Sequence, residues 1–250
     1  MCEIKIDGAT LEYEVATNSN TAKQYVSIVG ARDVHGHIKI PAEIEGVPVK
    51  CIGGGTFCGC KGLADVIIPD SVGWIGESAF TAATNLNHVK IPKSVRGIAE
   101  CAFSCCGGLW SVEIPEGVMW IGFSAFVMCY SLVHVTIPST LESIPRWMFS
   151  DCCNLLSVKI SSGVRSIEDE AFSGCRQLMN VTIPDSVTSI GKNAFSGCRR
   201  FMGVRISDSI TRIRDEYGEI VESEVSEKVG TERAPIGEEV VGWTAEDANP

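Results

Sequence analysis

Cysteine and histidine are the residues of this 250-residue sequence that could bind metal or act as nucleophiles, and there are twelve cysteines and four histidines. The pairs Cys58-x-Cys60 and Cys105-Cys106 lack the spacing of a closed tetrahedral zinc site, and no cluster of histidines accompanies them. We therefore predict that the chain holds no metal and needs no cofactor.

Half of the cysteines recur at one regular interval or at twice that interval: Cys60, Cys106, Cys129, Cys152, Cys175 and Cys198. We predict that they form an inward-facing ladder in which each thiol serves as a small buried apolar group. Neighbouring rungs about 5 Å apart would also permit disulfides by distance alone. The cysteines outside this ladder should be the more reactive ones: Cys2, Cys51, Cys58, Cys101, Cys105 and Cys153.

The remaining polar residues give little indication of a catalytic site. His88 and His134 occupy equivalent positions about 10 Å apart if strands stack in parallel, so they could join one site, but we favour two solvated histidines beside a strand. The serine-nucleophile, zinc-protease and phosphate-loop motifs do not occur. The sequence predicts a protein that is not an enzyme.

A repeat of 23 residues organises the chain, with units that start at Val66, Val89, Val112, Val135, Val158 and Val181. We number the columns of a unit from this valine. Column 10 is isoleucine in every complete unit, column 15 is phenylalanine, and column 4 is proline in five of the six. Six consecutive units without an insertion indicate a solenoid of stacked coils.

The columns predict the path of one coil. The alternation around Val-x-Ile at columns 1 and 3 is typical of a strand buried on one face, and the following proline ends it. Columns 7 and 10 should turn the chain back, and Ala-Phe at columns 14 and 15 fits a short helical turn. We predict a mostly β, α/β repeat solenoid with one parallel sheet and a right-handed coil.

Three regions follow from the repeat. Residues 1–37, which alternate around Asp7-Gly8, should form a capping hairpin and loop, because an uncovered first coil would expose its apolar end. Residues 38–214 form the solenoid, with about five residues inserted into its first unit near Glu45. Residues 215–250 carry 11 acidic and 2 basic residues, and we expect an acidic, mostly flexible tail with a possible partial cap.

The unit Val-x-Ile-Pro-x-Ser-Val-x-x-Ile-Gly-x-x-Ala-Phe-x-x-Cys-x-x-Leu, clearest at residues 181–201, resembles the leucine-rich repeat of the BspA-like family. The resemblance covers residues 38–214. It implies a solenoid that recognises proteins, often on the surface of bacteria or protozoan parasites, including adhesion to host matrix proteins. It implies no enzyme activity.

Aromatic residues in columns that are not uniformly apolar are the candidate binding residues: Trp74, Trp110, Trp120, Tyr130 and Trp147. Trp74 and Trp120 replace the commonest residue of column 9, serine, and should lie about 10 Å apart on one ridge, with a notch at Gly97. Trp and Tyr are enriched in binding hot spots. The alternative is that each ring packs locally over a neighbouring side chain.

Charge and hydropathy limit the partners and the location. The net charge is −10, of which the tail carries −9, so the body offers no positive field for nucleic acid. No apolar run approaches the roughly 18 residues of a membrane span. If Met1 is the native start, the visible N-terminus predicts a cytoplasmic protein, whereas the family resemblance predicts a surface or secreted one. We predict a protein partner, or alternatively a scaffold that assembles through solenoid ends.

Overall fold

The computed structural model of the protein describes residues 2–200 and the backbone of three later strands, Gly203–Arg205, Arg212–Arg214 and Ile220–Val221. These residues form 21 strands and no helix. The chain folds as a β-solenoid of stacked coils, and the coils repeat with the period that the sequence predicts. The predicted flexibility of residues 215–250 lies outside the described residues, apart from the strand Ile220–Val221.

Three antiparallel strands open the chain: β1 (Cys2–Ile6), β2 (Ala9–Thr17) and β3 (Gln24–Arg32). Asp7 and Gly8 join β1 to β2 with φ of 47° and 83°, the left-handed backbone of a tight hairpin. β3 then pairs in parallel with β6 (Val47–Ile52), which joins the hairpin to the irregular coil that precedes the unit at Val66. The insertion near Glu45 forms a second hairpin between β5 (Glu43–Ile44) and β6. The exact boundary between cap and solenoid stays a prediction.

The predicted parallel sheet contains eight strands, one from each coil, with neighbours offset by one repeat. It comprises β4 (Gly36–Lys39), β7 (Leu63–Ile67), β9 (His88–Lys90), β11 (Ser111–Glu113), β13 (His134–Ile137), β15 (Ser157–Ile160), β17 (Asn180–Thr182) and β19 (Gly203–Arg205). The column 1 valines of the described coils are buried and the column 2 side chains are exposed, which confirms the predicted alternation.

A second side of the coil is also a parallel ladder, which the prediction of one sheet did not include. Its short strands are β8 (Trp74–Ile75), β10 (Gly97–Ile98), β12 (Trp120–Ile121), β14 (Ser143–Ile144), β16 (Ser166–Ile167), β18 (Ser189–Ile190) and β20 (Arg212–Arg214). A last strand, β21 (Ile220–Val221), pairs with β20 in the antiparallel direction. Stacked backbone groups must pair when they are buried, so even two extended residues form ladder bonds.

This second ladder is interrupted between β12 and β14. In other coils the column 11 amide donates to the column 10 carbonyl of the preceding coil, as Gly122 does to Ile98 at 2.8 Å and Glu168 does to Ile144 at 2.9 Å. Column 11 of the fourth unit is Pro145, which has no N–H to donate to Ile121. A proline therefore removes a ladder bond at the point where the two sheets separate.

Tight turns, and not the helical turn expected at Ala-Phe, form the third side. The amides of Ser78, Phe80 and Ala82 donate to the next coil, at Glu100, Ala102 and Ser104. Ser78 and Ala82 have φ of 54° and 57°, and residues in the left-handed region recur at the same two columns in each described coil. Every second amide thus bonds to the neighbouring coil, while the amides between them, such as Thr81 to the Ser78 carbonyl, close tight turns within the coil, so no helix forms.

The core is built from aligned identical side chains. The column 15 rings stack nearly parallel along the solenoid, with centroids 5.0 to 5.6 Å apart from Phe57 to Phe195. One continuous apolar cluster joins them to the buried leucines, isoleucines and valines and to the cap strands β2 and β3. The side chains at columns 8 and 12, and the tryptophans at column 9, lie outside the core, and the candidate site is on this surface.

Candidate functional site

Trp74 and Trp120 lie on β8 and β12, on either side of Gly97 in β10. Their rings stack with centroids 5.4 Å apart and an angle of 6° between planes. The separation predicted from strand spacing, about 10 Å, is therefore wrong for the rings, and the notch at Gly97 is filled. A Cβ at Gly97 would overlap the Trp74 ring, so Trp74 occupies the space of the absent side chain.

Both rings remain accessible despite this stacking. Trp74 is 41% exposed and Trp120 is 40% exposed, so each has packed one face and kept solvent contact elsewhere. The two readings of the sequence, binding and local packing, are both compatible with this geometry. The structure shows the two rings as one stacked aromatic pair.

Two further apolar side chains of the same coil as Trp120 are exposed: Met119 at 67% and Phe123 at 48%. We call Trp74, Met119, Trp120 and Phe123 the Trp–Met–Phe patch. Sequence reasoning missed Met119 and Phe123, although a signal was present. Columns 8 and 12 are polar or glycine in the other complete units, so an apolar residue at both columns of one unit is an exception.

Charged side chains border the patch in the coils before and after it. Arg96 and Glu100 precede it, and Arg96 Nη1 donates to the carbonyl of Gly117 at 3.0 Å. Glu142 and Arg146 follow it. An apolar centre with Met and aromatic side chains and a charged border has the composition of a protein–protein interface.

The other three predicted binding residues lie elsewhere. Trp110 precedes β11 in the first sheet, on another side of the coil, and its ring contacts His88 at 6.2 Å between centroids. Tyr130 is exposed, and its ring lies beside Gly107. Trp147 is half-buried in a third-side turn, with the Arg146 guanidinium 5.2 Å above its ring. Only Trp74 and Trp120 are brought together, and the binding role of all five stays a prediction.

Three of the four histidines lie on the outer face of the first sheet: His37, His88 and His134. His88 and His134 are both exposed, and Ser111 stands between them in the strand register. His134 Nδ1 lies 2.7 Å from Ser157 Oγ, and His37 Nδ1 lies 3.4 Å from a carboxylate oxygen of Asp65. Among the described residues, no group of three or more His, Cys, Asp or Glu side chains could hold a metal ion.

The side chains of the central cysteines of the ladder point into the core, as predicted. Cys106, Cys129, Cys152 and Cys175 are buried, whereas Cys60 and Cys198 at the ends are half-buried. All twelve cysteines are free thiols. Burial raises the pKa of the Cys106 thiol to about 12 and raises the pKa values of the next three rungs well above the usual range. These thiols are structural groups.

The cysteines outside the ladder are not equally reactive. Cys2 and Cys58 are exposed, and the other four are half-buried. Burial also raises the pKa of Cys51 and of Cys101, which reduces the thiolate fraction at neutral pH. The expectation that all six react more readily therefore applies best to Cys2 and Cys58.

The repeat geometry agrees with a comparison against protein families. The model described as the BspA type leucine rich repeat region matches residues 50–178 and 148–217, in six copies. The chain belongs to this family. The BspA type repeat forms proteins that are generally protein-interaction modules, and its solenoids are typically not enzymes. No curated protein matches the sequence.

Solved structures show the same architecture. The leucine rich repeat protein of T. pallidum is 29% identical with a TM-score of 0.69, over 76% of this chain and 87% of that one. A leucine rich cell surface protein of Faecalibacterium prausnitzii A2-165 is 31% identical with a TM-score of 0.73, over 90% of this chain. A leucine-rich repeat protein of Bacteroides ovatus ATCC 8483 is 30% identical with a TM-score of 0.60, over 84% of this chain.

This BspA type chain spans 59% of the length of the F. prausnitzii protein and 60% of that of the B. ovatus protein. Within the part of the chain that the structure describes, no helix is long and apolar enough to cross a membrane.

Proposed function

We propose that this protein is a non-enzymatic binding module that recognises a protein partner through the Trp–Met–Phe patch. The observation that carries the proposal is the stacked pair Trp74 and Trp120, together with the exposed side chains of Met119 and Phe123. Exposed apolar clusters with a polar border mark interaction sites in soluble proteins. Because the two indole rings hold each other in place, little side-chain entropy is lost when a partner covers them.

A matched pair of double variants tests the patch. The variant M119S/F123S removes two apolar side chains of the patch, which are 67% and 48% exposed. The control W110S/Y130S removes two aromatic side chains outside the patch with similar exposure, 55% and 47%. The tagged chains are used to capture proteins from an extract of the source cells, and captured proteins are quantified by mass spectrometry. We expect M119S/F123S to lose the specifically bound protein and W110S/Y130S to keep it, with both variants folded.

The opposite pattern would place the contact surface outside the patch. Equal capture by both variants and by wild type would show that neither aromatic region contributes. Capture of nothing above an unrelated control protein, at any salt concentration, by a chain that is also monomeric would contradict the binding function itself. Assembly through the solenoid ends, the alternative, would appear as light scattering that grows with concentration without reaching a limit.

The proposed location of this module is the cell surface. The support is the F. prausnitzii relative, which is named a cell surface protein and is 31% identical. Protease treatment of intact source cells tests the location. Release of peptides of this chain from intact cells is the expected result, and complete protection until the cells are lysed would contradict it.

A further inference from the structure

We propose that the partner of the Trp–Met–Phe patch is a second copy of this chain, packed face to face about a two-fold axis parallel to the solenoid axis. The proposal rests on the proposed function, since it names the occupant of the same site. It is carried by the charges that flank the second ladder of strands. These charges form a pattern that is complementary to itself.

Columns 8 and 12 flank the column 9 ridge that carries Trp74 and Trp120. Their side chains are exposed or half-buried, so they are available to a molecule that covers the ridge. Counting coils from the unit that starts at Val66, the pairs at columns 8 and 12 of the second to fifth coils are Arg96 and Glu100, Met119 and Phe123, Glu142 and Arg146, and Arg165 and Asp169. Each charged coil therefore carries one arginine and one acid, on opposite sides of the ridge.

Rotation about a two-fold axis parallel to the solenoid axis reverses the strand direction of the second copy. It keeps each coil at the same height as the identical coil of the first copy. Column 8 of each coil then faces column 12 of the same coil in the other copy. Arg96 meets the second copy's Glu100, Met119 meets Phe123, and Glu142 meets Arg146. In such an isologous interface every contact is made twice, so three charged coils give six pairs of opposite charge. Apolar side chains lie at the centre and charges lie at the rim.

The flanking coils add no repulsion in this arrangement. The first coil contributes Gly73 opposite Glu77, and the sixth contributes Thr188 opposite Lys192. A two-fold axis at right angles to the solenoid, centred on the third coil, would also pair opposite charges of the second and fourth coils, Arg96 with Glu142 and Glu100 with Arg146. It would, however, place Glu77 opposite Asp169. Like charges in apposition are unfavourable, so the parallel arrangement is the better match. The strip is narrow, which places the dimer at the weak end of specific interfaces.

The second coil offers the cleanest test, because Asp169 of the fifth coil already forms an ion pair with Arg146 at 2.8 Å. Arg96 donates one surface hydrogen bond, to Gly117, and Glu100 is half-buried. R96E alone gives two glutamate pairs in the dimer, and E100R alone gives two arginine pairs. Mixed in equal amounts, the two variants can form a heterodimer in which both pairs are again of opposite charge.

Sedimentation velocity over a wide range of protein concentration, at low and at high salt, measures the result. We expect wild type to dimerise, and more weakly at high salt because exposed charges are screened. R96E and E100R alone should dimerise at least tenfold more weakly, and their mixture should recover the wild-type affinity. Thermal unfolding midpoints close to wild type would show that both variants fold.

The outcomes separate this inference from the proposed function. Monomers at every concentration, with a foreign protein still captured through the patch, would overturn the dimer and leave the binding function standing. Dimers that M119S/F123S does not weaken would overturn the dimer through the patch, because the contact would lie elsewhere, and the capture experiment would then decide the binding function alone. Dimers that R96E and E100R weaken, but that the mixture fails to restore, would overturn the parallel arrangement.

Discussion

At the scale of single residues, each buried cysteine of the ladder bonds to the coil that precedes it. The thiol of Cys106 donates to the carbonyl of Phe80 at 3.1 Å, and that of Cys129 donates to Phe103 at 3.2 Å. The same bond recurs at the later rungs, always from column 18 to column 15 of the preceding coil. The Phe80 carbonyl also accepts from the amide of Ala83, so the thiol occupies its second acceptor position. Cysteine is thus both a core side chain and a link between coils.

We predict that the exposed thiols will be alkylated much faster than the buried ones. Cys2 and Cys58 should be modified quickly in the native protein, whereas Cys106, Cys129 and Cys152 should resist until the chain is unfolded. The reason is that the thiolate is the reacting species, and burial raises the pKa of Cys106 to about 12. Peptide mapping by mass spectrometry after iodoacetamide treatment, with and without denaturant, measures this. Rapid modification of Cys129 in the native protein would show that the solenoid opens locally.

The carboxylate of Glu116 should make stability depend on pH in the acid range. It accepts hydrogen bonds from the backbone amide of Ser139 at 3.1 Å and from the Ser139 hydroxyl at 2.9 Å, which lower its pKa. A lowered pKa in the folded state adds stability above the unfolded-state pKa of about 4.3, and this stability is lost as the pH falls through the folded-state value. E116Q should therefore be less stable than wild type at pH 7, and the difference should shrink under strongly acidic conditions.

Urea unfolding at neutral and acidic pH measures the difference, which should be small because the group is exposed. E113Q is the control, since Glu113 is also exposed, on the outer face of β11. A difference between E116Q and wild type that stays constant with pH would contradict the assignment to the ionised carboxylate.

At the scale of strands, the stacked tryptophans depend on a missing side chain. G97A should disrupt this pair with little net change in stability, because alanine is ordinarily favoured over glycine inside a strand by roughly 0.5–1 kcal/mol. The added Cβ would overlap the Trp74 ring, which must leave its place against Trp120 and lose a contact worth about 0.5–1.5 kcal/mol. Near-ultraviolet circular dichroism reports the loss of the indole pair, and urea unfolding reports the stability.

G73A is the matched control, because a Cβ at Gly73 would have its nearest atom at 3.9 Å. We expect G73A to keep the wild-type aromatic spectrum and to be at least as stable as wild type. An unchanged aromatic spectrum in G97A would mean that the two rings do not stack in solution.

Pro145 should be sufficient to explain the division of the second ladder. In P145A the new amide can donate to the Ile121 carbonyl, as the equivalent amides do in neighbouring coils. We expect this amide to be protected from hydrogen exchange and β12 to join β14. The hydrogen bond adds about 0.5–1.5 kcal/mol, and loss of the proline restores about 0.4–1 kcal/mol of unfolded-chain entropy, so total stability should change little. An amide at position 145 that exchanges as fast as a free peptide would show that another feature separates the strands.

The repeat makes much of this fold predictable and also shows where prediction ends. Periodic columns give the number of coils, the first sheet and the buried side chains, because identical columns must stack. The third-side turns were not predictable from composition, since Ser78 and Ala82 are not residues that favour the left-handed region. The separation of the Trp74 and Trp120 rings could not be predicted from strand spacing, because that spacing does not show that the Trp74 side chain leans over Gly97 towards Trp120.

At the scale of the whole molecule, the cap and the coils share one core. Leu11 and Ile28 of the cap belong to the same apolar cluster as the stacked phenylalanines, and Ile28 pairs in register with Ile52 of β6. In a solenoid each coil contacts only its neighbours, so stability passes along the chain through such interfaces. The cap therefore packs as part of the irregular coil ahead of Val66 and is more than an attached hairpin.

We accordingly expect a change in the cap to destabilise distant coils. Ile28 is fully buried, so I28A should cost about 2–5 kcal/mol. If cap and coils unfold together, tryptophan fluorescence, which includes Trp120 of the third coil, and far-ultraviolet circular dichroism should shift to lower urea by the same amount. V15A is the control, because Val15 lies on the cap strand β2 but is 47% exposed, and its loss should cost little. A fluorescence transition that stays in place while the far-ultraviolet transition splits would mean that the cap unfolds as a separate unit.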